Sequence, residues 1–259
     1  MELFTGEVRL ALLLFLCGLL WSLESVVPLY RYRNNKLRHA LPNLALTVIL
    51  LLTNFALSFS SAYVVEITER NGIGLLTLSD LSFWARAVIG IAALDLFAYF
   101  AHVLLHKSWL GWQFHRVHHS ENAVDVTTAF RQHPGETVWR ILWQLAAIVI
   151  FGIPLWVVAI YLILSGLNAQ LEHANIRMNL RLDRLLRLLV VTPNMHKVHH
   201  SRDQQETDSN YSNIFSLWDR VFGTYTPATD FRRLSYGLDG FDAEAGHTIR
   251  GLLKMPFIT

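Results

Sequence analysis

Long apolar runs, more than any motif, limit what this 259-residue chain can become. A helix crossing the hydrocarbon core of a bilayer needs about 20 apolar residues, because its backbone polar groups find no partner in lipid except one another. The stretch from about Val8 to Val27 meets that length. So do Leu44–Val65, entered through Pro42 and Asn43, and Phe83–Leu105. A fourth block, Val138–Leu171, is broken by Phe151-Gly152-Ile153-Pro154. At 1.5 Å per residue it is too long for one crossing, and Gly with Pro interrupts a helix, so a helical hairpin turning near Gly152–Pro154 is predicted. The expected fold is all-α: about five membrane segments carrying a helical, His-rich cap.

Composition agrees. Hydrophobic residues make up 53% and charged residues 16%, with a net charge of +2. Ordinary soluble domains carry about 25% charged residues, so both a disordered chain and a nucleic-acid binder are disfavoured. The lone Cys17 excludes an internal disulfide framework and a Cys-rich zinc module. The first apolar run has a weak basic lead and no small-residue cleavage site, so it is expected to anchor rather than be removed. Arg31, Arg33, Lys36 and Arg38 follow it, whereas Glu66, Glu69, Asp80 and a single Arg70 follow the second run. The positive-inside rule then assigns the first loop to the cytoplasm. Counting crossings brings His102–His133 and His173–His200 to that same side.

Of the 12 histidines, ten fall between His102 and His200. They form His102-x3-His106, His115-x2-His118-His119 and His196-x2-His199-His200. Residues three and four apart share a helix face, while adjacent ones fan apart by about 100°. Such a fan suits two metal ions better than one, each neighbour leaning toward a different ion. Imidazole is a good ligand for iron, zinc, copper and nickel, and ionisable groups near membrane depth are usually functional. His173, in the polar stretch Asn168–Asn175 where the hairpin returns, is a ninth candidate.

Other residues take lesser places. Asp95, Tyr99, His102 and His106 share one face of the third helix, so Asp95 and Tyr99 are expected to fix imidazole tautomers or relay a proton. The other reading for Asp95 is a hydrogen bond to a neighbouring helix. His133, in His133-Pro134-Gly135, is expected to support the site or lie at the membrane edge, and His39 and His247 to be surface residues. Arg177, Arg181, Arg184 and Arg187 predict an amphipathic helix, either in the headgroup plane or packed on the domain.

With these residues assembled, the chain resembles the sterol desaturase / fatty acid hydroxylase superfamily of integral-membrane di-iron oxygenases. The resemblance runs from about Asp95 to Tyr225. It includes Phe114-His115-Arg116-Val117-His118-His119-Ser120, Thr128–Glu136, His173, His196–Ser201, Asn210-Tyr211-Ser212-Asn213 and Leu217-Trp218-Asp219 through Tyr225. It implies membrane helices over 1–90, a catalytic domain over 91–228 and a tail over 229–259. It also implies two iron ions held by His102, His106, His115, His118, His119, His173, His196, His199 and His200, with Arg177 near where some relatives place a further histidine. The implied activity is hydroxylation or desaturation of a lipid C–H bond with O2. The sequence has no Gly-rich dinucleotide fingerprint, no flavin motif and no cysteine set for an iron–sulfur cluster, so a separate ferredoxin or b5-type cytochrome is the expected electron donor. A bacterial inner membrane and an endoplasmic reticulum both suit such a protein. Two other classes stay open: a zinc-dependent hydrolase or isomerase, against which the missing His-Glu-x-x-His speaks, and a membrane protein whose metals only brace the fold.

Overall fold

A computed structural model describes residues 6–31, 35–78, 80–227, 231, 233–243 and 247–258. The helices start where the sequence offers caps and stop where it offers breakers. Helix α1 spans Gly6–Val26. Asn35 then accepts hydrogen bonds from the Leu37 and Arg38 amides to open α2, Lys36–Arg70. This start lies ahead of the predicted entry at Pro42 and Asn43. Pro42 sits inside α2 and forfeits one backbone bond, a loss the strong cap and the long apolar continuation outweigh.

Ser82 caps α3, Phe83–Lys107. Ser108 ends α3 and, by accepting the Gly111 amide, opens α4, Trp109–His119. The reversal is tight: a Cβ on Gly111 would lie 2.8 Å from the Leu105 Cα. One residue therefore folds the helix bearing His102 and His106 back against the helix bearing His115, His118 and His119.

Pro134 begins α5, Pro134–Phe151, which ends at Gly152 in the left-handed conformation, φ 66°. Helix α6 follows as Leu155–His173, so the hairpin turns at the predicted Gly152–Pro154. Glycine is needed there, since a Cβ on Gly152 would meet the Ile73 carbonyl at 2.4 Å. Short helices complete the chain: α7 Leu180–Leu186, α8 Pro193–His199, α9 Gln204–Thr207, α10 Leu217–Val221 and α11 Ile249–Lys254.

Helix α3 packs between α5 and α6, α2 against α5, and α1 against α6. Leu94, Ile148, Ile153 and Val157 are buried in the core between them. The opposite faces are apolar and bare: on α2, Leu52, Phe55 and Phe59 are 66%, 67% and 63% exposed. Apolar faces of that extent mark contact with lipid. Among the described residues, three helical stretches are long and apolar enough to cross a membrane: Lys36–Thr77, Phe83–Lys107 and Leu155–His173. Of the other two expected segments, α1 has Leu10–Val26 as its apolar part and α5 carries Glu136, Arg140 and Gln144.

Two other expectations are corrected. The arginine-studded helix is the short α7 alone. Arg177 precedes it, its amide bonded to the Val27 carbonyl at 3.0 Å. Asp183, in the middle of α7, is buried and accepts the Thr192 hydroxyl at 2.7 Å. Nor are His39 and His247 loose on the surface. His39 Nε2 lies 3.6 Å from Glu121, and His247 Nδ1 lies 3.1 Å from the Arg131 guanidinium. Of the first-loop cations, Arg33 lies outside the described residues.

Candidate metal centre

The end of α3, the whole of α4, the end of α6 and the whole of α8 meet at one place. There, nine imidazoles form two sets whose ligand atoms lie within 4.8 Å of one another: His102, His106, His115, His119 and His199, and His118, His173, His196 and His200. Each His-x-x-His-His motif is split between them. Its first and last histidines, one helical turn apart, stay together, and its middle histidine crosses to the other set.

Backbone carbonyls set the tautomers. A carbonyl only accepts, so a ring nitrogen facing one carries the proton and leaves a lone pair on the other nitrogen. His102 Nδ1 donates to the Tyr211 carbonyl at 2.7 Å, His199 Nδ1 to Ser209 at 2.7 Å, His173 Nδ1 to Ala169 at 2.6 Å and His118 Nδ1 to Arg131 at 3.3 Å. Their Nε2 atoms are therefore acceptors. Yet His173 Nε2 and His118 Nε2 stand 3.1 Å apart. In the same set His173 and His196 Nε2 are 3.0 Å apart, and His200 and His196 Nε2 3.1 Å. In the other set His102 and His115 Nε2 are 3.1 Å apart. Facing lone pairs repel unless a cation lies between them. Two nitrogens at right angles and each about 2.1 Å from one ion are about 3.0 Å apart. His106 Nε2 and His199 Nε2 are buried with no hydrogen-bond partner, the state of a ligand atom whose partner is a metal. The donor set therefore fits two metal ions.

The rings are dry. Burial holds the imidazoles of His115, His118, His119, His196, His199 and His200 well below the usual histidine range, so they are neutral near pH 7. Carboxylates stand behind the five-histidine set. Glu136 Oε2 lies 3.0 Å from His115 Nδ1, both side chains fully buried, and Arg140 holds its other oxygen at 2.8 Å. Asp208 lies 3.5 Å from His106 Nδ1 and 2.8 Å from Lys107. Burial alone would raise the Asp208 carboxyl, but His106, Lys107 and Gln204 outweigh it and hold the group low.

Asp95 and Tyr99 do not reach the rings. Asp95 accepts the amides of Ile214 at 3.1 Å and Phe215 at 2.9 Å, and the Trp218 indole at 2.9 Å. It moors the 213–218 segment, and its bond to Trp218 of α10 is the hydrogen bond to a neighbouring helix of the other reading. Tyr99 bonds the Thr224 hydroxyl at 2.9 Å, and Thr224 donates to Asp219 at 2.7 Å. Asp219 in turn accepts the Tyr211 amide at 2.8 Å, whose own carbonyl holds His102. The two side chains thus brace the loop whose Tyr211 carbonyl orients the His102 imidazole. Trp218 and Asp219, in the closing motif of the resemblance, serve this same loop. His133 caps α5, accepting the Gly135 amide at 3.0 Å.

Besides Asp208, three groups escaped the sequence reading as participants. Glu136 stood in a quoted motif without a role. Glu172 Oε1 lies 3.8 Å from His196 Nε2, and an acid directly preceding His173 in an apolar helix was its only signal. Lys197, between two motif histidines, is fully buried and donates to the His173 carbonyl at 2.6 Å.

Comparison with known proteins follows the same residues. The sequence model of the family described as fatty acid hydroxylase matches residues 87–224. Alkylglycerol monooxygenase of Xenopus tropicalis is 32% identical over 157 residues, covering 60% of this chain and 32% of the relative. Ornithine lipid hydroxylase OlsE of Rhizobium tropici is 31% identical over 144 residues, covering 54% and 41%. Very-long-chain aldehyde decarbonylase CER1 of Arabidopsis thaliana is 26% identical over 185 residues, covering 61% and 27%. The chain thus spans about a quarter to two fifths of the length of these relatives. No solved structure matches it.

Proposed function

The chain belongs to the fatty acid hydroxylase family, and from that premise we propose that it is a membrane-bound di-iron oxygenase that hydroxylates or desaturates a lipid C–H bond. The observation that carries the reading is the pair of lone pairs, on His118 and His173, aimed at each other across 3.1 Å inside a dry cluster of imidazoles. One ion would be held by His102, His106, His115, His119 and His199, the other by His118, His173, His196 and His200. Bound there, two iron ions supply the one-electron chemistry with O2 that protein side chains lack.

The rest is the work of the chain. The carbonyls of Tyr211, Ser209, Ala169 and Arg131 keep four Nε2 atoms turned inward. Burial of the rings keeps water from the reacting centre. The lipid-facing helices deliver an acyl or alkyl chain from the bilayer, so that binding along its length aims one methylene at the metals. Names of the relatives point to lipids bearing hydroxylatable chains, of the alkylglycerol or ornithine-lipid kind. We read the metal centre as cytoplasmic from the cations of the first loop, and the electron donor as a ferredoxin or b5-type cytochrome.

The test is metal analysis of the purified protein followed by oxygen uptake. About two irons per chain, with oxygen consumed on adding reductant and lipid, and a product heavier by one oxygen or lighter by two hydrogens, is the expected result. Zinc at full occupancy with hydrolytic turnover and no oxygen uptake would overturn the assignment.

A further inference from the structure

Away from the two histidine sets, a cavity of about 1200 Å³ is lined by residues 29–31 and the start of α2, by Arg177 past α6 and by residues toward the C-terminus, with His39 and His247 on its wall. Its place is set by the helix ends. Pro28, just past α1, pairs with Ile176, just past α6, and Asn35, the cap of α2, lines the wall. These are the ends of lipid-exposed helices, the level at which a bilayer presents its headgroups.

The wall is cationic. Arg31, Arg38 and Arg177 line it, with Arg131 at its inner side. The acids on the wall are already engaged: Glu121 with Arg131 at 3.8 Å and His39 at 3.6 Å, and Asp242 with Arg202 at 3.0 Å. Among the described residues, no acidic side chain lies within ion-pair distance of Arg31 or Arg177. The positive end of the α2 dipole adds to the same field. Beside the cavity, Val26, Val27, Leu37 and Leu41 are 76%, 44%, 58% and 56% exposed, an apolar margin matched to acyl chains. A concave volume this large suits a glycerophosphate headgroup better than a bare ion, and a concave site suits a small ligand better than a protein face.

We propose that this cavity binds the phosphate-bearing headgroup of an anionic glycerophospholipid, with Arg31 and Arg177 as its principal anion ligands. Arg31 and Arg177 belong to neither histidine set, and the inference does not depend on the chemistry proposed for those sets.

Native mass spectrometry of the full chain, delipidated in detergent and titrated with phosphatidylglycerol against phosphatidylcholine, tests it. The wild type should retain phosphatidylglycerol with a preference on the order of tenfold. R31Q/R177Q should bring that preference close to parity while its metal content and melting temperature stay at wild-type values. R31K/R177K should keep most of the preference. Equal retention of the two lipids by the wild type, or an undiminished preference in R31Q/R177Q, would overturn the proposal. So would complete displacement of phosphatidylglycerol by millimolar inorganic phosphate, which would make the ligand a soluble phosphate. Binding of an acidic electron-carrier protein that weakens in R31Q/R177Q while lipid retention does not would reassign the cations to that partner.

Discussion

The two histidine sets share the same motif and are braced to different degrees. The five-histidine set has Glu136 behind His115 and Asp208 behind His106. In the four-histidine set the carboxylate is more distant, Glu172 lying 3.8 Å from both His173 and His196; His118 and His173 lean on the carbonyls of Arg131 and Ala169, and the buried ammonium of Lys197 sits beside His173. Burial lowers that ammonium to about 8, which leaves it charged at neutral pH. A carboxylate behind an imidazole makes the ring a stronger donor, and a nearby cation makes the site less hospitable to another positive charge. With carboxylates at 3.0 and 3.5 Å against one at 3.8 Å, two ions in these sets would be unequal, the one in the five-histidine set bound more tightly.

The crossing histidines offer the largest effect by which to break this comparison. His118→Ala and His199→Ala should each abolish turnover and lower metal content by at least one ion per chain, with the membrane helices still inserted. Metal analysis and a turnover assay check both. Wild-type turnover in either variant would mean that the sets are drawn wrongly. Glu136→Gln sharpens the contrast: it should cost about 10–100-fold in metal affinity or activity, felt at the five-histidine set. Equilibrium metal titration reads it, and a loss of affinity confined to the second ion would reverse the ranking of the two sets.

Acid should act on both sets together. The imidazoles from α4 and α8 lie below their unfolded value near 6.5 through burial. The unfolded chain therefore takes up more protons, and metal-free stability is present above pH about 6.5 and lost as pH falls through it. A melting temperature of the metal-free protein that stays flat from pH 7.5 to pH 5 would contradict this. Asp95→Asn should remove about 1–3 kcal/mol of stability by weakening the anchor of Ile214, Phe215 and Trp218. Metal stoichiometry should hold, because Asp95 touches no ring. Lost metal with unchanged thermal stability would restore Asp95 to the centre itself. The smallest effect is expected for His247→Ala, about 1 kcal/mol from its half-exposed bonds to Arg131 and the Phe241 carbonyl, with metal content unaltered.

How much of this was legible beforehand depends on range. The apolar runs, the turn at Gly152–Pro154 and the histidine spacings are local patterns, visible without coordinates. Spacing also showed that neighbouring histidines point apart. It could not say that His118 would join His173 rather than His115, because that depends on where α6 delivers its last turn. Asp95 shared a helix face with His102, and so looked like its supporter. The face was right, but the loop carrying Ile214, Phe215 and Trp218, more than a hundred residues away, intercepts the carboxylate. The start of α2 was misplaced because Pro42 was read as a boundary, when Asn35 supplies a cap that lets the helix run through it. His39 and His247 looked peripheral since neither lies in a cluster, and only the fold brings them to Glu121 and Arg131.

The sorting of the rings is most directly measured by anomalous diffraction at the iron edge from crystals of the iron-loaded protein. The account predicts two separate peaks, one ringed by His102, His106, His115, His119 and His199 and the other by His118, His173, His196 and His200. A single peak, or His115, His118 and His119 all gathered on one ion, would contradict it.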